Sequence, residues 1–157
     1  MNENNIQEQM KTIDKSAQID KTAKIICQKL KIGKGVKIGK GVKISAKTIH
    51  IENDVIIEDN VKINSNVINI EDSSIIKSES KIKTLEKFEL GKRSDLTYCD
   101  IKARNVKIGN DFFSSVTPQE ILIVGGGNSQ NPKSNLTIGN RCVIHDVMIN
   151  VAMPVTI

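Results

Sequence analysis

Residues 32–44 read IGKGVKIGKGVKI: the unit IGKGVK occurs twice without a break, and a third copy opens at Ile44. A period of six is neither the 3.6 of a helix nor the two of a simple strand, so the pattern has to be followed as an internal repeat. Carried outward, the opening aliphatic residue falls at Ile13, Ile19, Ile25, Ile32, Ile38, Ile44, Ile51, Ile57, Ile63, Ile70, Ile76, Ile82 and Phe88, and again at Ile108, Ile138 and Ile144. Single extra residues precede Ile32, Ile51 and Ile70. The fifth position is small or β-branched: Ala17, Ala23, Val36, Val42, Val55, Val61, Val67, Ser74, Ser80 and Cys142. The second is Gly, Asp, Glu or Asn, types that tolerate tight or left-handed backbone at turns.

One arrangement accounts for all three positions. A short strand runs to a tight corner, another follows, and after three sides the chain closes a triangular coil that stacks on the previous one. The opening Ile then points to the axis, the small residue keeps the corner from being overfilled, and the other positions face water. Each buried Ile contributes on the order of 1.5–3 kcal/mol, so a column of them offsets the ordering of many polar residues. The expected fold is an all-β parallel β-helix.

The unit (aliphatic, then Gly/Asp/Glu/Asn, two polar, small, one more) resembles the hexapeptide repeat of the left-handed parallel β-helix acyltransferase superfamily. The match covers most of residues 13–90 and resumes from about residue 105. The resemblance implies a left-handed coil and a homotrimer with sites between subunits. It also implies transfer of an acetyl or similar group from acetyl-CoA or another acyl-CoA to a hydroxyl or amine of a small sugar-like acceptor, with no metal.

Composition narrows the partners. A formal charge of +5 invites a nucleic-acid reading. However, Lys34, Lys37, Lys40, Lys43 and Lys62 recur at outward positions among Asp and Glu, and aromatics are only 3% of the chain, too few to stack bases. A solvated face, with no nucleic-acid partner, is the expectation. Cys27, Cys99 and Cys142 form no CxxC pair and leave one thiol over in any pairing, which favours a reducing cytoplasm. No apolar run reaches transmembrane length, so no membrane partner is expected.

The expected organisation is a polar tail or cap over residues 1–12 and one β-helix domain over 13–157. The phase breaks near residues 90–106, and a loop protrudes near 112–135. That loop holds Gly125, Gly126 and Gly127, which lack the spacing of a phosphate-cradling motif. Within it, residues 121–124 read as a buried strand.

Acyl transfer to a hydroxyl or amine wants a general base with a pKa near working pH, and in the resembling family that base is a His. His145 opens the polar part of IHDVMI and is the candidate, with Asp146 and Asn150 as candidate substrate-binding residues. His50 falls at an inserted residue and is the weaker choice. A zinc anhydrase on this fold needs three His ligands, and the chain has two. In the resembling transferases the His-bearing and coenzyme-binding coils usually lie beyond the point matched by Ile157. The chain therefore reads as an acyltransferase or its N-terminal portion. The alternative, from another class, is a non-catalytic β-helix scaffold or assembly protein.

Overall fold

Isoleucines six residues apart fall on successive strands rather than along one. The protein was analysed as a computed structural model, which describes residues 11–114, 122–125, 133–145 and 147–157. Every regular element among them is a β-strand. The first turns run β1 (Lys11–Ile13), β2 (Gln18–Ile19), β3 (Lys24–Ile26), β4 (Lys29–Ile32), β5 (Lys37–Ile38), β6 (Lys43–Ser45), β7 (Thr48–Ile51), β8 (Ile56–Ile57) and β9 (Lys62–Asn64). They continue as β10 (Val67–Ile70), β11 (Ile75–Ile76), β12 (Lys81–Leu90), β13 (Asp95–Leu96), β14 (Cys99–Ile108), β15 (Leu122–Gly125), β16 (Asn135–Ile138), β17 (Val147–Asn150) and β18 (Val155–Thr156).

All pairing is parallel and links each strand to its equivalent one turn away. Leu30 lies opposite Ile49 and Ile49 opposite Ile68, while Ile38 faces Ile57 and Ile44 faces Ile63. The register fixes a turn of about 19 residues. The chain is thus a parallel β-solenoid of about seven turns. Its first face holds β1, β4, β7, β10, the later halves of β12 and β14, β16 and β18. The second holds β2, β5, β8, β11 and β13. The third holds β3, β6, β9, the earlier halves of β12 and β14, β15 and β17.

The core is a stack of aliphatic columns, one inside each face, and the opening isoleucines from Ile32 through Ile82 are all buried. The first face carries a second inward column that the six-residue phase misses: Leu30, Ile49, Ile68, Phe88, Val106 and Leu136. Its four-residue strands alternate, sending two side chains inward and two outward. The extra residue noted before Ile51 and Ile70 lengthens this side. Two expectations change as a result. Phe88 pairs with Ile68, so Leu90 is the true successor of Ile70; Val67 lies on the outward side of β10 and does not fill a corner. At the first described rung Ile13 is about half exposed, because no described rung lies beyond it.

The corners explain the polar positions differently from the sequence expectation. The left-handed backbone sits at the fourth position of the unit, not the second. One corner repeats it at Gly35, Asp54, Ser73, Arg93, Asp111 and Arg141, and another at Gly41, Asn60 and Glu79; one turn later it falls a residue earlier, at Tyr98. At the second position Gly33 is closely approached by the next turn, where an added Cβ would meet Asn53 Oδ1 at 2.7 Å, whereas Glu52, Glu58 and Glu71 fill the same position in later turns. At the third position, side chains accept backbone N–H groups one turn back. Lys34 donates to Asn53 Oδ1 (2.9 Å), Asn53 to Asp72 Oδ1 (3.0 Å), Lys92 to Asn110 Oδ1 (2.8 Å) and Asn110 to Asn140 Oδ1 (2.8 Å).

One register change lies ahead of the 90–106 stretch. An additional residue in β12 shifts its pairing with β14 between Thr84 and Lys87, and Leu85 is pushed outward. Buried hydroxyls nearby are satisfied, with Thr84 Oγ1 donating to Ser65 Oγ at 2.6 Å and Ser74 Oγ to the Gly91 carbonyl at 2.6 Å. Phe112 is fully buried, and Phe113 bridges Asp95 and Val143, so residues 112–114 belong to the second face. Val124 in β15 is buried on the third face. Residues 126–127 of the glycine run lie outside the described residues, as do 1–10 of the N-terminal stretch.

Candidate functional site

The structure places the described candidates at different points along the turn. His145 is exposed and follows Ile144, whose N–H donates to the Phe113 carbonyl at 2.8 Å on the second face. Asp146 lies outside the described residues. Asn150 ends β17 on the third face, opposite Gly125, and its Oδ1 accepts the Ala152 N–H at 3.0 Å. That bond closes a local turn, the ordinary use of a corner Asn. His50 points outward from β7, in register between Lys31 and Asn69.

Around His50, a cavity of about 400 Å³ is lined by Glu52, Asn69, Glu71, Asp72 and Lys92. Two of its three acids are already committed. Glu52 pairs with Lys31 at 2.7 Å, and Asp72 pairs with Lys92 at 3.2 Å while accepting the Asn53 N–H. The N–H donated by Asn53, with Lys92 second, holds the Asp72 carboxyl below the usual carboxylate range. No group of three His, Cys, Asp or Glu able to hold a metal occurs among the described residues. Burial disfavours the thiolate at two of the cysteines, pushing Cys99 up to about 12 and also raising Cys27. The cavity around His50 is lined by neither His145 nor Asn150.

What the fold does assemble is a column of like charge. Lys24, Lys43, Lys62 and Lys81 stand one above another on the outside of the third face, in consecutive register. All four are exposed, and no ion pair engages any of them among the described residues. The column beside them reads Ile26, Ser45, Asn64, Lys83 and Lys102. Between the two columns runs a shallow groove of about 520 Å³, lined by both and closed at one end by Asp100, whose carboxylate lies 3.5 Å from Lys102 Nζ. Like charges directly opposite on neighbouring strands destabilise a sheet, so the column is held against a cost.

The sequence carried this signal at a spacing of 19, since residues 24, 43, 62 and 81 are all Lys. A six-residue frame hides it by placing lysines at many outward positions at once. Chemically, the face can hold a row of anions; it offers no group poised for proton transfer. A second groove, of about 590 Å³ on the second face, mixes Lys37 and Lys40 with Glu58 and Asp59 and has no single sign. Comparison of the chain with protein-family models, with curated proteins and with solved structures gives no match.

Proposed function

We propose that this protein is a non-catalytic β-solenoid scaffold that uses the third face to hold an anionic partner. The observation that carries the reading is the unneutralised column Lys24–Lys43–Lys62–Lys81 beside an open groove. A rigid solenoid roots the four lysines at the rung spacing of roughly 4.8 Å, so their charges act together without the ordering cost of a flexible basic tail. The test compares two double variants that remove equal charge, Lys43→Gln/Lys62→Gln on this face and Lys37→Gln/Lys40→Gln elsewhere. Binding of a soluble carboxylate polymer, polyacrylate, should weaken at least about tenfold in the first and little in the second. Equal losses would reduce the effect to net charge and overturn the reading.

The transferase is the second reading. It is favoured by the spacing of six between the inward Ile32, Ile38 and Ile44 on three successive faces, which the hexapeptide superfamily shares. In this reading the coil is left-handed, and the chain trimerises so that a neighbouring copy completes a site around His145. His145 is then the general base for transfer from acetyl-CoA to a sugar-like acceptor. Saturable acetyl-CoA binding with acceptor-dependent thioester cleavage, lost in His145→Ala, would place it first. Absence of both in the assembled protein would remove it.

A further inference from the structure

We infer that the occupant of the lysine face is a linear acidic polysaccharide carrying one carboxylate on each sugar, an inference that rests on the scaffold reading above. Spacing is the first argument. Successive lysines are rooted one rung apart, roughly 4.8 Å along the backbone, and the four-lysine column spans ~14 Å at its base. An extended 1,4-linked uronate ribbon advances by about one rung per sugar and turns over at each linkage, so the carboxylates of every second sugar face the column in step with every second lysine, two rungs apart. An extended acidic peptide does not keep step: its same-face side chains recur every two residues, ~6.6 Å apart, and fall out of register within two rungs.

Surroundings are the second argument. The groove is lined by Lys, Ile, Ser, Asn and Asp and contains no aromatic ring. A single-stranded nucleic acid would find nothing there to stack on. A sugar chain would find Ser45 and Asn64 beside Lys43 and Lys62, a hydroxyl and an amide able to exchange hydrogen bonds with ring hydroxyls. Lysine stems and the exposed Ile26 supply apolar surface for the C–H faces of the rings. Asp100 ends the lysine column and repels a further carboxylate, which limits the footprint to about four sugars.

The experiment titrates the full chain with oligogalacturonates of two, four and six residues, an oligo-aspartate of matched charge and a thymidine oligonucleotide of matched charge. Affinity should rise steeply from two to four sugars and level off by six. The four-residue uronate should bind at least about tenfold tighter than the charge-matched peptide or oligonucleotide. Lys43→Gln/Lys62→Gln should abolish that preference, and Ser45→Ala/Asn64→Ala should lower uronate affinity while sparing the peptide. If the peptide or the oligonucleotide binds as well as the uronate and Lys43→Gln/Lys62→Gln weakens both, the acidic-glycan inference falls and the scaffold reading stands. If no polyanion binds, both fall.

Discussion

Gly35 shows how narrowly single positions are specified. Its φ of +68° lies in the left-handed region, and an added Cβ would collide with the Asp54 side chain one turn on. Gly35→Ala should therefore cost roughly 1–2 kcal/mol, read as a lower urea midpoint. The same corner one turn beyond Asp54 holds Ser73, exposed and strained at φ 59°. Ser73→Gly should gain up to about 1 kcal/mol, and a loss there would show that the corner backbone is not under strain. Lysines behave oppositely to ordinary surface residues. Removing the repulsion at Lys62 by Lys62→Gln should raise Tm by roughly 1–3 °C at low salt, a gain that fades as salt screens the column. A lower Tm at low salt would mean that the four lysines do not repel one another.

At the scale of the element, each strand is a rung with one or two inward positions, and the columns bear the load. Ile57 is fully buried between Ile38 and Ile76, so Ile57→Ala should cost roughly 2–5 kcal/mol by the same urea measurement. The corner ladders add a pH signature. Asp72 is held low by the Asn53 N–H and then by Lys92; in Glu58, burial pushes the carboxyl up but is outweighed by the Ser78 N–H, Lys77 and the Ser78 hydroxyl. Their folded values lie below the unfolded ones, so folding favours the ionised forms. That contribution is complete above the unfolded values near about 4 and is lost as pH falls through the folded ones. Stability should hold steady from pH 7 to about 5 and drop below about 4. Asp72→Asn keeps the ladder bond that Asn53, Asn110 and Asn140 make in the same column, and should make the drop shallower.

The whole molecule was partly legible before its coordinates were. The inward isoleucines declare a three-sided parallel coil because apolar burial is the strongest term and recurs with each side. What stayed hidden was whatever depends on the full turn. The column Leu30, Ile49, Ile68 and Phe88 was missed because the longer side hides two inward residues in one strand. The sequence suggests left-handed corners at the second position because Gly occupies both the second and fourth in IGKGVK, and only backbone geometry separates them. His145 and Asn150 were singled out by resemblance, and the fold leaves them on different faces. The lysine column needed a spacing of 19, the length that brings a chain back to its own side. At 17.3 kDa the protein suits amide-resolved NMR, and the direct measurement is the set of shifts caused by adding a carboxylate polymer. Changes centred on Lys24, Lys43, Ser45, Lys62, Asn64 and Lys81 are expected. Changes spread evenly over Lys34, Lys37 and Lys40, or centred on His145, would contradict a cationic face built by the solenoid.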